Sequence, residues 1–379
     1  MKLKRLLQQE TVLIVAILLA VISSFFVHPD RKYMDYIDFR TLAVLFSLMT
    51  VMAGLQRQGV FDRMGRALTA HTGGIFQLAL VLTGLCFFGS MVITNDVALM
   101  TFVPFTFAVL SNLREETRLR LALPVVCMQT IAANLGSMLT PIGNPQNLYL
   151  YSKSGMSIAH FIEIMFPYTL VSLILLVAWA ALLCHGKKEN LSSEINRTQD
   201  GTESDHPAIV ALYGILFVLC LSVVAHVVPY GTALAAVLLC TLCADRMTLR
   251  RVDYSLLLTF IAFFIFIGNI GRIPAFSSWL QQLLSGREVP VAVFASQVTS
   301  NVPAALLLSG FTENTEALVI GTNLGGLGTL IASMASLISY RQIAREMPQE
   351  KGRYFRMFTI SNLVFLAVLL AEWALLVGN

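Results

Sequence analysis

The sequence predicts an all-α polytopic membrane protein, and three features of the chain support this fold class. Of its 379 residues, 56% are hydrophobic and only 13% are charged. The apolar residues gather in runs of about twenty, the length that a helix needs to cross a hydrocarbon core of about 30 Å. Some of these runs are interrupted near the middle by polar residues, Gly or Pro, and the interruptions occur as two similar sets.

Nine segments are long and apolar enough to be predicted as membrane crossings. They are residues 11–27, 41–56, 121–151, 161–184, 208–228, 231–244, 253–271, 318–340 and 357–377. Two further apolar runs, at about 75–110 and 289–311, carry polar residues at their centre. The arms of the second run have about ten residues, too few to cross. We predict that both runs are re-entrant helical hairpins, which enter and leave the membrane on one side.

The basic residues predict how the chain is oriented in the membrane. With the amino terminus in the cytoplasm, 20 of the 26 Lys and Arg residues fall on the cytoplasmic side, as the positive-inside rule expects. The carboxyl terminus is then predicted outside. The polar stretch 185–207 becomes a cytoplasmic linker between an N-terminal half, 1–184, and a C-terminal half, 208–379.

Several other kinds of protein do not fit the sequence. No small-residue cleavage site follows the first apolar run, so we expect a retained helix rather than a secretory signal. The six cysteines lie within or at the ends of apolar runs, which favours packing over disulfides or a metal site. Basic residues spread over short loops do not indicate a nucleic-acid partner. No catalytic constellation or phosphate-binding loop is seen, so neither an enzyme nor a cofactor is predicted.

Residues 134–151, "NLGSMLTPIGNPQNLYLY", match residues 323–340, "NLGGLGTLIASMASLISY", at seven of eighteen positions without gaps. Each copy is preceded by a hairpin whose tip carries an asparagine. Five predicted crossings separate Asp38 and Asp253, where the two units begin, so the second unit is inverted in the membrane. Single Gly and Pro residues can be simple kinks, but two matching copies favour inverted repeats with two broken helices, the plan of secondary transporters.

The two hairpin tips and the two broken helices are predicted to meet near the midplane of the membrane. A helix that breaks there frees carbonyl oxygens, which suit a cation, and amides, which suit an anion. Neutral amide and hydroxyl side chains can bind either kind of group without a permanent charge. The residues of this type are Thr94, Asn95, Thr140, Asn144, Asn147, Ser300, Asn301, Thr329, Ser333 and Ser336.

Asp96 is the one acidic residue at a predicted hairpin tip. An ionisable group at that depth is by default a functional hypothesis, because its charge is costly in lipid. Asp96 can carry a proton or help to hold a sodium ion. The structural alternative is that its carboxylate caps the second arm of the hairpin through the free amides of the first turn.

The segments "LTPIGNPQNLYL", "ITNDVALMTFVPF" and "SNVPAALLLSGF" resemble the ion transporter superfamily, which includes citrate and dicarboxylate carriers, arsenite permeases and a group of sodium/proton antiporters. The chain looks most like the short, citrate-transporter-like bacterial permeases, over nearly its whole length. The resemblance implies a bacterial inner (plasma) membrane location. It also implies a homodimer that moves a transport domain past a scaffold, as in the dicarboxylate branch.

The resemblance also implies two sodium-type sites. One would use Thr94, Asn95 and the backbone near Gly143 and Asn144, and the other would use the related residues of the second repeat. Those related residues are Ser300, Asn301, Ala332 and Ser333. Substrate would lie between the tips.

Two departures from the family pattern limit what the resemblance implies. Dicarboxylate carriers have Ser-Asn-Thr at both tips, whereas this chain has "TND" and "SNV". The acidic first tip is closer to arsenite permeases and antiporters. The second broken helix lacks the two prolines of the first, so the stronger ion site is expected beside the first.

The sequence therefore predicts a secondary active transporter for a small carboxylate or inorganic anion, with sodium ions or protons as coupling ions. A sodium/proton antiporter without an anion substrate, or an arsenite efflux permease, stays open because no basic side chain is predicted at the midplane. A channel could also use broken helices. The predicted partners are the ion or small-molecule substrate and the lipid bilayer.

Overall fold

The computed structural model describes residues 11–70, 72–184 and 206–377, and these residues form seventeen α-helices. The first eight are α1 Thr11–Phe26, α2 Phe39–Arg57, α3 Val60–Thr69, α4 Ile75–Ile93, α5 Asn95–Leu110, α6 Glu115–Ser137, α7 Pro145–Ser154 and α8 Ile158–Cys184. The other nine are α9 Pro207–Val224, α10 Tyr230–Ala244, α11 Tyr254–Gly271, α12 Pro274–Leu284, α13 Glu288–Thr299, α14 Asn301–Leu308, α15 Thr315–Leu324, α16 Met334–Glu346 and α17 Lys351–Val377.

Seven of the described helices are long and apolar enough to cross a membrane: α2, α4, α6, α8, α9, α11 and α17 with the turn before it. The chain is thus an all-α, multi-pass membrane protein, as predicted. α1 and α10 are shorter apolar helices, so the count of nine crossings stays a prediction, as does the orientation. The predicted linker, 185–207, lies outside the described residues except for its last two positions.

The chain forms helix pairs at both predicted hairpins and at both predicted broken helices, and whether the hairpins are re-entrant stays a prediction. The hairpins are α4–α5 and α13–α14, and the broken helices are α6–α7 and α15–α16. The first hairpin is the longer, since α4 has 19 residues and α13 has 12. At 1.5 Å per residue, α4 extends about 28 Å, long enough to reach across a bilayer.

Each repeat contains a short helix that the sequence analysis did not predict. It connects the first helix of the repeat to the hairpin of the same repeat. α3 follows α2, and α12 follows α11, each after a two-residue link. α3 buries Phe61, Gly65 and Thr69, which are four residues apart and so form one stripe of a helix. Helices of 10 and 11 residues are too short to be recognised by the length of an apolar run.

The two repeats begin in the same way. Asp38 precedes α2 with φ −79° and ψ 86°, and Asp253 precedes α11 with φ −79° and ψ 83°. Each carboxylate accepts a hydrogen bond from the backbone N–H three residues later, at 2.9 and 3.0 Å. These are N-caps of the usual kind, and they lie where the repeat units were predicted to start.

The packing interlocks the two repeats. α16, the second part of the second broken helix, packs on α5 and α6 of the first repeat. α7, its counterpart in the first repeat, packs on α14 and α15 of the second. Each half-helix therefore lies against the hairpin of the other repeat, which brings the four interruptions of the chain together in the buried core. α1, α2, α9, α10 and α11 pack mainly on one another.

Candidate functional site

The hairpin tips are single residues in a strained backbone conformation. Thr94 joins α4 to α5 with φ 68° and ψ 151°, and Ser300 joins α13 to α14 with φ 77° and ψ 154°. Residues other than glycine rarely adopt this conformation, which costs about 1–3 kcal/mol and occurs preferentially at functional sites. Among the described residues, His226 is the only other non-glycine residue with a positive φ.

Each tip is docked onto the break of its own repeat. The N–H of Asn95 donates to the carbonyl oxygen of Gly143 at 3.0 Å, and the N–H of Asn301 donates to that of Ala332 at 2.9 Å. Gly143 and Ala332 occupy the same position in the two matched segments. The structure therefore brings together each predicted tip and its predicted break, although whether an ion binds there stays a prediction.

A second contact between the hairpin and the broken helix occurs at matching positions in both repeats. The hydroxyl of Thr140 donates to the carbonyl oxygen of Met91 at 2.6 Å, and the hydroxyl of Thr329 donates to that of Gln297 at 3.3 Å. Met91 and Gln297 both lie three residues before the tip. The predicted residues Thr140 and Thr329 thus fasten the break to the last turn of the first hairpin arm.

Some of the carbonyl groups freed by the first break are bonded by the chain itself. The side-chain amide of Asn147 donates to the carbonyl oxygens of Ser137, Met138 and Thr140 at 3.2–3.4 Å. The side chain of Asn144 caps α7 by accepting the N–H of Asn147 at 2.9 Å. These bonds offset the cost of breaking a helix away from water.

The second break uses a different side chain for the same purpose. The amide of Gln297 donates to the carbonyl oxygens of Gly325 and Leu327, both at 2.9 Å, and its oxygen accepts the N–H of Thr329 at 3.0 Å. Gln297 comes from the hairpin, whereas Asn147 belongs to the broken helix itself. The two breaks therefore bond their freed carbonyl groups with different side chains, one from the broken helix and one from the hairpin.

Asn134 and its repeat partner Asn323 connect the two sites across the repeats, and the sequence analysis missed this role. The side-chain oxygen of Asn134 accepts from the amide of Asn95 at 3.2 Å and from the hydroxyl of Ser333 at 3.0 Å. The Asn134 amide lies 3.4 Å from the hydroxyl of Ser336, to which it donates. The first tip is thereby linked to the second broken helix.

Asn323 makes the related contacts, from the second repeat to the broken helix of the first. Its side-chain oxygen accepts from the amide of Asn144 at 3.1 Å, and its own amide donates to the side-chain oxygen of Asn147 at 2.6 Å. Asn134 and Asn323 are the first matched pair in the repeat. That identity was the sequence signal, but only the folded chain shows that the contacts cross between repeats.

Gly143 has no room for a side chain. A Cβ atom at this position would collide with the carbonyl oxygen of Ser137. The second repeat has Ala332 at the same position, and that residue is fully buried. The first break therefore folds back more tightly on its own helix than the second.

Asp96 lies beside the first tip but does not cap α5. The N–H of Asp96 donates to the side-chain oxygen of Asn95 at 2.9 Å, and no side-chain cap is formed at this helix start. The Oδ1 atom of Asp96 is buried and has no hydrogen-bond partner in the described part of the chain. The structural alternative, in which the carboxylate caps the second hairpin arm, is therefore wrong.

A cavity of about 360 Å³ opens next to Asp96. This volume is within the range of small-molecule sites. The cavity lies between α1, α5, α11, α14 and α16, so it touches both hairpins. Its lining residues are Val12, Leu13, Asp96, Met100, Asp253, Ser255, Leu256, Thr259, Val302, Pro303, Met334, Leu337, Ile338 and Arg341.

The chain is similar to known membrane proteins. A family model described as "Citrate transporter" matches residues 6–317. Inner membrane protein YbiR of Escherichia coli is 31% identical over 381 residues, 99% of this chain and 96% of YbiR. The uncharacterized transporter MJ0456 of Methanocaldococcus jannaschii is 29% identical over 338 residues, 88% of this chain and 89% of its own. The silicon efflux transporter LSI3 of Oryza sativa is 32% identical over 136 residues, 36% of this chain and 27% of its own.

Proposed function

The chain belongs to the citrate transporter family, and from this premise we propose that it moves a small carboxylate or inorganic anion across the membrane, coupled to sodium ions or protons. The family and the archaeal relative are transporters, so the chain is a membrane transporter and not an enzyme. One observation carries the finer proposal. Each strained hairpin tip docks on the broken helix of its own repeat. Asn134 and Asn323 then link the two sites across the repeats.

We assign the coupling to Asp96 and to the two tip sites. An ionised carboxylate with an unpaired buried oxygen gains from binding a proton or a sodium ion. The amide and hydroxyl groups of Asn95 and Thr94, with the backbone near Gly143, would complete an ion site on this side. Ser300, Asn301 and the backbone near Ala332 and Ser333 would form the related second site.

The mode of movement is proposed from the family resemblance. The hairpins and broken helices would move together as a transport domain past the helices α1, α2, α9, α10 and α11, in an elevator-type cycle. A homodimer, a cytoplasmic amino terminus and an outside carboxyl terminus belong to the same proposal. Inverted repeats suit this cycle because the two units can exchange their conformations when the site changes sides.

A sodium/proton antiporter or an efflux permease for arsenite is the second candidate function. The observation in its favour is the acidic Asp96 next to the first tip. Among the described residues, no basic side chain forms a hydrogen bond with either tip. The rice relative, which matches 36% of this chain, is named an efflux transporter. Export should therefore be tested as well as uptake.

Flux measurements in proteoliposomes test the proposal. Purified protein is reconstituted and given citrate, a dicarboxylate, sulfate or arsenite under an imposed sodium or pH gradient. Concentrative movement of one anion that follows the gradient is expected. Sodium-driven proton movement without any anion would support the antiporter, and anion movement that never exceeds equilibrium would refute both coupled functions. A thermal-shift screen against the same compounds identifies the ligand first, because binding stabilises the folded protein by mass action.

A further inference from the structure

The short helix α3 has an apolar half and a basic half. Its buried stripe faces the protein, and beside that stripe the side chains of Met64 and Leu68 are 39% and 48% exposed. Arg63 and Arg66 lie about 150° away from these two residues around the helix axis, at about 100° per residue. A helix divided in this way is typical of a membrane interface, where its apolar side faces acyl chains and its basic side lies at the headgroups.

More arginines lie next to α3, at the end of α2. Arg57, the last residue of α2, forms an ion pair with Asp245, the first residue of a basic segment, 245–252, that packs on α2. The guanidinium group of Arg63 donates to the carbonyl oxygen of Gln58 at 3.0 Å, one residue after Arg57. These contacts bring α3 and the segment 245–252 to the same end of α2. Together they form an arginine surface, whose basic residues are Arg57, Arg63, Arg66, Arg246, Arg250 and Arg251.

Few acidic side chains balance the arginine surface. Its six Arg residues are accompanied by two Asp residues, Asp62 and Asp245. The carboxylate of Asp245 is bonded within the chain: in addition to its ion pair, it accepts from the hydroxyls of Thr248 at 2.7 Å and Tyr213 at 3.4 Å. Among the described residues, no hydrogen bond or ion pair involves the guanidinium groups of Arg66, Arg246, Arg250 and Arg251. The surface therefore has four guanidinium groups that can bind a group from outside the chain.

The second repeat has a matching helix without this charge. α12 follows α11 as α3 follows α2, and none of its residues is charged. Its Trp279 is 55% exposed, and tryptophan is enriched at membrane interfaces. Arg272, between α11 and α12, is bonded within the chain, since it donates to Asp30 at 2.9 Å and to Tyr36 at 3.1 Å. The place of such a helix in the fold therefore does not require arginines, and those around α3 need an explanation of their own.

We propose that the arginine surface binds the headgroup of an anionic phospholipid. Guanidinium groups form paired hydrogen bonds with phosphate oxygens, and a cluster of them at a membrane surface attracts anionic lipids. The exposed Met64 and Leu68 favour a phospholipid over a free phosphate ion or an acidic protein segment, because they lie where its acyl chains would be. Since α3 also packs on α4 and α5, a lipid bound here holds the connection between α2 and the first hairpin at the membrane surface.

Quenching by brominated lipids measures which lipids contact each of the two helices in the full chain. Leu68→Trp places a reporter on α3, in a chain whose three native tryptophans, Trp179, Trp279 and Trp373, are replaced by phenylalanine. A second chain keeps Trp279 as the reporter on α12. Both are reconstituted in phosphatidylcholine vesicles with an increasing fraction of brominated phosphatidylglycerol. The quenching curve gives the affinity for phosphatidylglycerol relative to phosphatidylcholine at each reporter. Met64→Trp is a second reporter on α3 if the first variant does not fold.

We expect this affinity ratio to be about five to twenty-five at α3, the effect of one or two arginines at an anionic surface, and about one at Trp279. Arg66→Gln together with Arg250→Gln should lower the α3 ratio to less than about two, because a phosphate then loses two of its donors. Arg345→Gln together with Arg353→Gln is the control of equal charge on the same predicted side of the membrane. It should change the ratio less than about twofold, because these residues belong to α16 and α17 and not to the arginine surface.

Three results would overturn the inference. Equal ratios at the two reporters would leave the arginines to a water-soluble acidic partner, and an equal loss in the control pair would assign the lipid preference to the total charge of that side of the protein. Loss of the preference in phosphate buffer, but not in chloride of the same ionic strength, would identify free phosphate as the ligand. Quenching does not depend on turnover, so a chain that moves no anion in liposomes can still show the expected ratios.

Discussion

Gly143→Ala tests whether the tight first break is needed for the folded site. The added Cβ would collide with the carbonyl oxygen of Ser137, so the break must open. Overpacking of this kind costs about 1–3 kcal/mol. Opening the break also removes the acceptor of the Asn95 N–H, and a buried donor left without a partner costs about 1–3 kcal/mol more. The expected loss of unfolding free energy is therefore about 2–6 kcal/mol.

The free energy of unfolding can be measured by reversible denaturation in mixed micelles, with and without sodium. Gly214→Ala is a matched control, because a Cβ added to Gly214, within α9, meets no atom within 4 Å. That variant should be neutral or more stable by about 1 kcal/mol, from helix propensity alone. Stabilisation by sodium should be reduced in Gly143→Ala and unchanged in the control. Equal stabilities of the two variants would refute the argument that only glycine fits the break.

Five further substitutions test the coupling group, the tips and the links between the repeats. Asp96→Asn should leave the fold intact and abolish the pH or sodium dependence of flux, measured in proteoliposomes; an unchanged dependence would exclude Asp96 as the coupling group. Asn95→Ala should reduce the thermal shift with sodium more than Asn301→Ala, because Asn95 also donates to Asn134, and equal small effects would contradict this ranking. Asn134→Ala and Asn323→Ala should each destabilise the protein by about 2–3 kcal/mol, because each leaves buried polar partners unpaired, and denaturation that shifts by less than about 0.5 kcal/mol would argue against the links.

The positions of the tips and breaks could be predicted from the sequence because each interruption has a local cause. Polar residues inside an apolar run cannot stay in a straight lipid-facing helix without cost. Thr94 and Asn301 stand at such points, and Pro141 and Pro145 deny the first broken helix its regular backbone bonds. The convergence of the four interruptions also followed from the two matching copies, whereas the pairing of each tip with the break of its own repeat was implied by the family resemblance.

Other parts of the site could not be predicted because they depend on residues that are distant in the chain. Asn134 meets Ser333 across 199 positions, and no local pattern determines which half-helix packs on which hairpin. Gln297 looks like an ordinary polar residue until the fold places it over the second break. The second half of the broken helix was also predicted too short, because α16 extends six residues beyond the predicted end of the crossing at 340.

The interlocked half-helices also bear on how such a chain could have arisen. Within each repeat, some polar groups of the break have no partner. They form hydrogen bonds with asparagine and hydroxyl groups of the other repeat. A single ancestral repeat would have had the same need, and a second copy inserted in the opposite orientation would have met it. Duplication and fusion would then have preserved an existing antiparallel pair and left each copy free to differ, as the repeats do at Asp96 and Gln297.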